Sequence, residues 1–472
     1  MPDTKQRTSG MKSFTIIWIG QILSLLGTAV GQFGLRLWVF DESGGQATPM
    51  TLIGFFFFVP MVIFTPLVGV LVDRANRKLM MMLSDLAAAL TTLVVLALLA
   101  TGTLEVWHLY ISAFVAGTFQ GFQWPAYSVA ITTMLGKEHY TRANAMLELA
   151  GNSSAVFAPM LAGALIGPLG RWVTRAMPSV AQRAGSSAGL TALLALDLLS
   201  AAFAIGTLLF VRIPQPEQSE SGREAEGGFW AEALYGLRYI LARPSLLGLQ
   251  LVFLFGNFFN MLGFAVIDPM ILARTNSDTI IFGSVQTTAA LGGIAGGLVI
   301  GAWGGFRRKV HGVLIGWVLS GLTMIAIGMS RSLFPWLITG FIIATFSPLI
   351  NASNQAIWQT KVAPDIQGRV FATRRLIAWL VSPIAQLIAG PLADLILEPA
   401  FASGAMTGPI LTTLFGSGPG AGMGLQMALG GLGAAGVGIA GYLFPTIREA
   451  ETQLPDYDAE LSTVPVPEPS SA

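Results

Sequence analysis

Long apolar runs separated by short polar segments dominate the pattern of this chain. Each run has about 20 residues or more, which is the length that a helix needs to cross the hydrocarbon core of a bilayer. The runs predict membrane-spanning helices at residues 14–40, 50–72, 79–101, 107–134, 144–168, 188–211, 246–272, 280–303, 310–330, 334–358, 370–397 and 424–446. We therefore expect an all-α membrane protein with twelve transmembrane helices in two six-helix bundles.

Polar stretches at the ends and in the middle of the chain set the expected domain boundaries. The middle stretch is rich in Pro, Glu, Ser and Gly, and it then becomes amphipathic over Phe229–Leu241. A helix of this kind lies on a membrane surface. The expected organisation is a cytoplasmic N-terminal tail at 1–12, a six-helix bundle at 13–211, a cytoplasmic linker with the amphipathic helix at 212–245, a second six-helix bundle at 246–446 and a disordered cytoplasmic tail at 447–472.

Composition supports a membrane protein and argues against several functional classes. Of the 472 residues, 53% are hydrophobic and 11% are charged, whereas soluble domains carry about 25% charged residues. The chain has no Cys, its three His residues lie far apart, and it lacks a glycine-rich phosphate-binding loop. We therefore expect no metal site, no cofactor, no direct use of ATP and no catalytic residues. The formal net charge of +1 gives no indication of nucleic-acid binding.

Charge asymmetry predicts the orientation in the membrane. Twelve spans place both termini on one side, and most Lys and Arg residues fall in the segments on that side. Cytoplasmic loops of membrane proteins carry an excess of Lys and Arg. We therefore expect a multi-pass protein of the plasma membrane with both termini in the cytoplasm.

The two bundles carry weak internal repeats. Gly163 matches Gly390 at an offset of 227 residues, and the same offset aligns Arg142 with Arg369. Internal symmetry between six-helix halves is typical of secondary transporters, whose substrate sites lie at the repeat interface near the middle of the membrane. The two bundles are therefore expected to be pseudo-symmetric.

A charged loop between the second and third spans is the most specific motif. Residues Gly69–Lys78 read Gly-Val-Leu-Val-Asp-Arg-Ala-Asn-Arg-Lys, in which Asp73 precedes three cations. The basic part recurs near the repeat offset as Arg307-Arg308-Lys309. This order of charges resembles the loop signature between the second and third spans of the major facilitator superfamily.

The resemblance to this superfamily covers nearly all of residues 12–446. It is also carried by Arg142-Ala-Asn-Ala145, by Gln367-Gly-Arg-Val370 and by Ala158–Gly163, which is similar to an antiporter motif. Within the superfamily the chain resembles the bacterial macrolide and enterobactin exporters. The resemblance implies the major facilitator fold and a bacterial cell-membrane protein. It also implies export of a drug-like or amphipathic small molecule, macrolide- or siderophore-like, by proton antiport with alternating access.

Acidic residues inside the spans are candidates for proton coupling, because a charge within the bilayer is costly and faces a cavity or a partner. Asp197 is the deepest, and it fits a proton carrier and a helix-packing hydrogen-bond acceptor equally well. For acids near cytoplasmic ends of spans, ion pairing is the alternative. Asp394, near the outer end of the eleventh span, is expected to meet water. The proton-coupling candidates are Asp197, Asp85, Glu148 and Asp268.

Polar and aromatic residues occupy matching places in spans four and ten, and two asparagines lie in span seven. Such groups could line a pocket for a large, partly apolar solute. Interhelical hydrogen bonding and anchoring at the membrane interface are the alternative roles. The substrate-binding candidates are Gln120, Gln123, Trp124, Tyr127, Asn257, Asn260, Asn351, Asn354, Gln355 and Trp358.

Two charged gates are expected, one on each side of the membrane. On the cytoplasmic side, Asp73 should meet the start of the eleventh span, and Glu148 should meet the repeated basic loop. On the outer side, aligning spans one and seven places Arg36 opposite Asp268, with Asp41–Glu42 as competing partners for the cation. The gating candidates are Gly69, Asp73, Arg74, Arg77, Lys78, Glu148, Arg307, Arg308, Arg369, Arg374, Arg375, Arg36 and Asp268.

Alternatives to the exporter hypothesis differ in direction and mechanism. They are a proton-coupled nutrient importer, a gradient-independent lipid translocase and a non-transporting membrane sensor. The expected partners are a small-molecule substrate, protons and the lipid bilayer. Nucleic acid is not expected as a partner, and the protein is expected to be a monomer.

Overall fold

The computed structural model describes residues 10–74, 77–135, 140–179, 182, 187–211, 229–362, 366–404 and 408–456. For residues 65–74, 77, 121–133, 140–145, 147–150, 152, 229–234 and 367–369 it describes the backbone alone. Within the described ranges every regular element is helical.

Six long helices make the first half of the chain. They are α1 (Gly10–Glu42), α2 (Thr48–Arg74), α3 (Arg77–Thr101), α4 (Val106–Met134), α5 (Tyr140–Ala176) and α6 (Ala188–Phe210). The linker carries α7 (Phe229–Leu241), where the sequence predicts an amphipathic helix.

The second half repeats this arrangement with more interruptions. Its elements are α8 (Pro244–Phe264), α9 (Ile267–Thr275), α10 (Thr279–Trp303), α11 (Lys309–Met329), α12 (Leu333–Lys361), α13 (Gln367–Pro391), a π-helical turn (Leu392–Leu397), α14 (Glu398–Ala402), α15 (Pro409–Phe415), α16 (Ala421–Leu443), α17 (Pro445–Arg448) and α18 (Ala450–Gln453).

Each predicted span coincides with a helix or with two helices in series. In the described residues, ten helices are long and apolar enough to cross a membrane, and Thr48–Phe64 is a shorter apolar helical segment. Span seven is α8 followed by α9, and span eleven is α13 followed by the π-helical turn. The predicted fold class, an all-α membrane protein with twelve spans, is confirmed.

Prolines lie inside the fifth helix without ending it. The fifth span was expected to stop at residue 168, but α5 contains Pro159 and Pro168 and continues to Ala176. Neighbouring helices and local adjustments satisfy the backbone groups that a proline frees inside a membrane helix. The result is a 37-residue helix, which is longer than the hydrocarbon core requires.

The break between α8 and α9 is stabilised by a buried amide from α16. Val266 N donates to Gly263 O, so Leu262 O lies outside the regular pattern of bonds from each amide to the carbonyl four residues earlier. Gln426 Nε2 donates to Leu262 O at 3.1 Å and also to Ala389 O of α13 at 3.0 Å. One side chain therefore joins three helices of the second half.

The chain end shows a difference from the sequence prediction. The tail was expected to be disordered from residue 447, yet α17 and α18 lie against the second half, and Ile447 and Ala450 are buried. Lys361 Nζ donates to Glu451 O, Leu454 O and Asp456 Oδ1 at 2.5–2.7 Å. A few buried apolar side chains and one lysine order a segment whose composition alone suggested no structure.

The two halves meet on one side of the bundle. We call the side where α1 begins and α16 ends the terminal side, and the opposite side the distal side. An apolar cluster on the distal side contains Phe33 and Ala158 from the first half and Phe282 and Met427 from the second. The rings of Phe33 and Phe282 have centroids 4.8 Å apart, so the apolar core continues from one half into the other.

Candidate functional site

A cavity of about 560 Å³ lies between the two halves. Its lining comes from α1 to α4 of the first half and from α8, α9 and α13 of the second. The polar residues of the described lining are Gln21, Ser24, Thr28, Gln32, Arg36, Ser84, Asp85, Thr91, Thr92, Ser112, Gln120, Asp268 and Gln386. They are interspersed with apolar side chains, which is the composition of a small-molecule site.

Asp85 of α3 lies in the wall of this cavity. It is buried, and it accepts a hydrogen bond from Gln21 Nε2 of α1 at 2.7 Å. The sequence left proton coupling and ion pairing open for this acid. The structure gives it a neutral amide as a hydrogen-bond partner, which is compatible with proton coupling.

Asp197 of α6 lies behind the same wall. Thr28 Oγ1 of α1 donates to Asp197 Oδ1, and Thr92 Oγ1 of α3 donates to Asp197 Oδ2, each at 2.9 Å. Both threonines line the cavity. Gly27 of α1 makes the approach of α6 possible, because a Cβ there would lie 2.9 Å from Ser200 Cβ and 3.2 Å from Asp197 Cα. The buried carboxylate is therefore one hydroxyl away from the cavity.

Arg36 and Asp268 are in contact across the two halves. Arg36 Nη1 donates to Asp268 Oδ2 at 3.1 Å and to Gln286 Oε1 of α10 at 3.3 Å. Gln286 Nε2 in turn donates to Asp268 Oδ1 at 3.4 Å. The competing acid Asp41 accepts from Ser277 Oγ at 2.7 Å. The structure thus brings together the two residues of the predicted outer gate. Their role in gating stays a prediction.

Further contacts close the distal side. Asp394 accepts hydrogen bonds from Ala47 N at 2.9 Å and Thr48 N at 2.6 Å, at the start of α2. The expectation that Asp394 meets only water is wrong, because α13 approaches α2 closely at this point. Thr279 Oγ1 of α10 donates to Gly163 O of α5 at 3.3 Å. Contacts between the halves therefore lie on both flanks of the Arg36–Asp268 pair.

The predicted substrate residues of α4 fall partly on the cavity. Gln120 lines it. The side chains of Gln123, Trp124 and Tyr127 lie outside the described residues. Their role stays a prediction.

Two of the predicted substrate residues of α8 and α12 hydrogen-bond within their own half. Asn257 Nδ2 donates to Ala378 O at 3.5 Å, Asn351 Nδ2 donates to Ser347 O at 2.9 Å, and Asn260 is half-buried on α8. In the described lining of the cavity, the second half contributes Phe264, Ala265, Asp268 and Gln386 and none of the predicted residues of α8 and α12.

A separate polar cluster surrounds Arg374 of α13. Trp358 Nε1 donates to Asn354 Oδ1 at 3.0 Å within α12, and Arg374 Nη2 donates to Gln355 Oε1 at 2.5 Å. The Arg374 guanidinium also lies 5.4 Å from the centre of the Trp358 ring. Three predicted substrate residues and one predicted gating residue therefore belong to a single cluster near the terminal side.

The structure describes only some of the residues of the predicted gate on the terminal side. The side chains of Asp73, Arg74, Arg77, Glu148 and Arg369 lie outside the described residues, and Gly69 lies within α2. Lys78 Nζ donates to Leu209 O at 3.2 Å and Val211 O at 2.9 Å, at the end of α6. The remaining gating candidates Arg307, Arg308 and Arg375 are exposed. The expected pairing of Asp73 with the start of α13 stays a prediction.

The sequence interpretation missed several polar residues around the cavity. They are Gln21, Thr28, Thr92, Gln286 and Gln386, which accompany the charged groups. A neutral polar side chain within an apolar run is common in helix packing, so its type alone gives no signal of a site. For Asp394 a signal was present, because an acid inside a span generally has a partner.

Two helical halves with a polar cavity between them are the architecture of a secondary transporter. The chain belongs to the Major Facilitator Superfamily, whose family model matches residues 17–267, more than half of the chain. The family suggested by Gly69–Lys78 is thereby confirmed. Fold and family are those of a transporter and of a multi-pass membrane protein.

Known proteins similar to this chain include named efflux proteins. Macrolide efflux protein A of Streptococcus pyogenes is 25% identical over 385 residues, which are 81% of this chain and 89% of that protein. Multidrug efflux pump Tap of Mycolicibacterium fortuitum is 24% identical over 371 residues, 76% of this chain and 83% of the pump. Among solved structures, an inward-facing bacterial homologue of the lysosomal transporter Spinster superposes with a TM-score of 0.63 at 15% identity, covering 91% of this chain and 94% of the homologue.

Proposed function

We propose that this protein is a secondary active exporter of drug-like or amphipathic small molecules, macrolide- or siderophore-like, which it exchanges for protons by alternating access. The observation that carries the proposal is the cavity shared by the two halves, together with the contacts that close its distal side. Two similar proteins are named as macrolide and multidrug efflux proteins, which favours export over import.

The cavity lining favours an amphipathic cargo. Its described charged residues are Asp85, Asp268 and Arg36, and its aromatic residues include Phe57 and Phe119. Two carboxylates against one guanidinium favour a cargo whose polar group is neutral or cationic. The aromatic rings offer a surface for the apolar part of the same molecule.

Asp197 is the strongest candidate for proton coupling. Its carboxylate is buried and accepts hydrogen bonds from neutral hydroxyl groups. A carboxylate with neutral partners takes up a proton without breaking an ion pair. Since Thr28 and Thr92 line the cavity, a proton has a short path from the cavity to this acid. Asp85, Glu148 and Asp268 are the alternative carriers.

Alternating access requires the distal contacts to break while terminal contacts form. The Arg36–Asp268 pair is partly exposed, so separating the two side chains does not leave an unpaired charge buried in an apolar core. On the terminal side the proposed closing contacts are those of Asp73 with the start of α13 and of Glu148 with the Arg307–Arg308 loop. The halves would rock about the cavity, as in other transporters built from two repeats.

The orientation proposed from the charge bias completes the cycle. With both termini in the cytoplasm, the distal side faces outward, and the cavity receives its cargo from the cytoplasm when the distal contacts are closed. We propose a bacterial cell-membrane location and a monomeric transporter, because the cavity is assembled from the two halves of one chain.

Efflux of a panel of macrolides and siderophores from cells, with and without an uncoupler, tests this function. Cells that contain the protein should lose at least one compound faster than cells without it, and the uncoupler should abolish the difference. Proton-dependent uptake would indicate a nutrient importer instead. Movement insensitive to the uncoupler would indicate a gradient-independent translocase, and no movement of any compound would favour a sensor.

A further inference from the structure

Asp394 makes a contact between the halves that the proposed transport cycle has not used. It lies in the π-helical turn after α13. Its carboxylate oxygens each accept one backbone hydrogen bond, from Ala47 N and from Thr48 N. Backbone amides at the start of a helix have no acceptor within that helix. Asp394 therefore supplies the N-terminal cap of α2 from the other half of the protein.

The close approach of α13 to α2 holds Asp394 within reach of these amides. Gly390, four residues earlier, lies against the first turn of α2, and a Cβ at Gly390 would fall 3.0 Å from Thr48 N. Gln386, four residues earlier again, lies against Gly54, where a Cβ would be 2.8 Å from its amide carbon. One face of α13 therefore follows α2 from its first residue onward.

The start of α10 is capped in a different way. Asp278 immediately precedes α10, and its Oδ1 accepts from Ile280 N and Ile281 N, both at 2.9 Å. Asp278 belongs to the same half as α10. At the equivalent place before α2 stands Ala47, whose side chain has no acceptor. The cap of α10 thus lies within one half, whereas the cap of α2 crosses between the halves.

The two helix starts otherwise have similar surroundings. Gly163 of α5 lies against Thr279, the first residue of α10, just as Gly390 of α13 lies against Thr48, the first residue of α2. When the halves separate on the distal side, α10 keeps its cap and α2 loses its own. Whether the start of α2 is capped therefore depends on closure of the distal side.

We propose that Asp394 is a gating residue, which caps α2 when the distal side is closed and releases it when the distal side opens. The inference rests on the alternating access of the proposed function. A carboxylate at a helix start is stabilised both by hydrogen bonds and by the helix dipole. The closed state gains this interaction and the open state does not, so Asp394 shifts the equilibrium towards closure.

The absence of Cys from the sequence allows a direct distance measurement. Gln46→Cys before α2 and Ala402→Cys at the end of α14 place spin labels at exposed positions on the two halves. Pulsed electron resonance in lipid nanodiscs, without substrate, gives the ratio of long to short distances. Asp394→Ala removes both acceptor oxygens and should raise this ratio about fivefold, the ratio that corresponds to loss of a typical helix cap.

Asp278→Ala in the same labelled chain is the matched control, since it removes a cap that does not cross the halves and should leave the ratio unchanged. Asp394→Asn provides a second variant if Asp394→Ala does not fold; it removes one of the two acceptor oxygens and should shift the ratio in the same direction by a smaller amount. An unchanged ratio in a folded Asp394 variant, or an equal shift in Asp278→Ala, would overturn the proposal. The distance measurement needs no cargo. An absence of efflux would therefore contradict the proposed export function without affecting the ratio of distances.

Discussion

The two halves of this protein bury charges of opposite sign. In the part of the chain that the structure describes, the buried charged residues are Asp85 and Asp197 in the first half and Lys361 in the second. The two acids accept hydrogen bonds from an amide and from hydroxyl groups. Lys361 instead donates to two backbone carbonyls and to the carboxylate of Asp456.

This difference separates two roles. A buried acid that accepts from hydroxyl groups, as Asp197 does, retains hydrogen-bond partners when it gains a proton, so it is suited to exchange protons. A buried ammonium with three acceptors is held in place and anchors the chain end to α12. The cavity reaches Asp85 directly and Asp197 through Thr28 and Thr92. Under the proposed function, proton exchange would belong to the first half, whereas the buried cation of the second half anchors the chain end.

The largest effect is expected from Asp197→Asn. The variant should abolish accumulation of substrate driven by a pH gradient in membrane vesicles, because an amide cannot exchange a proton at neutral pH. Binding of the same substrate, measured without a gradient, should persist. Asp456→Asn makes the same chemical change at a half-exposed acid of the second half and should leave accumulation intact. Normal accumulation in Asp197→Asn would move the coupling role to Asp85, Glu148 or Asp268.

A loss of stability rather than of coupling is expected from Lys361→Met. It removes the donor from the Glu451 and Leu454 carbonyls and from Asp456, so the free energy of unfolding should fall by about 1–3 kcal/mol. Thermal unfolding of the purified protein in detergent measures the change. Asp456→Asn should cost about 1 kcal/mol or less, because that carboxylate is half-exposed. An unchanged unfolding temperature in Lys361→Met would contradict the anchoring role.

A smaller effect is expected where the two halves meet, at Arg36 and Asp268. The side chains are 41% and 22% exposed, so the pair should be worth about 1 kcal/mol. Arg36→Ala and Asp268→Ala should each increase labelling, by an impermeant reagent from the distal side, of a cysteine at position 39, where Val39 is buried and lines the cavity. The double variant should show less than the sum of the two effects. Strictly additive changes in labelling would contradict a gating role for the Arg36–Asp268 pair.

The smallest effect is expected from Thr92→Val. The substitution removes one of the two hydroxyl donors to Asp197, which should slow proton-driven transport about fivefold, given the net worth of a hydrogen bond. Thr91→Val is the matched control, because the Thr91 hydroxyl donates within its own helix to Ala88 O. Equal rates in the two variants would show that the contact with Asp197 does not matter for transport.

The spans and one contact could be predicted from the sequence for clear physical reasons. An apolar run of membrane length has few alternatives to a transmembrane helix, so the twelve spans can be predicted from the sequence. The sequence pairs Arg36 with Asp268, because symmetry of the two repeats puts a cation and an anion at matching depths. The structure places them 3.1 Å apart. Their function in gating remains to be tested.

The remaining contacts depend on helix rotation and on distances that an apolar pattern does not specify. Thr28 and Thr92 meet Asp197 because α1 and α3 turn particular faces towards α6. Trp358 binds Asn354 one turn away on its own helix, since residues four apart share a face. Two predicted substrate residues therefore hydrogen-bond to each other. The reach of Asp394 to α2 depends on the close approach at Gly390.

Proton counterflow in liposomes tests the central claim most directly. The purified protein is reconstituted with a pH-sensitive dye inside, and a compound identified in the efflux panel is added outside without a pH gradient. Inward movement of the compound should drive protons outward and raise the internal pH, and Asp197→Asn should remove this response. Movement of the compound with no change of internal pH in the unmodified protein would contradict proton antiport.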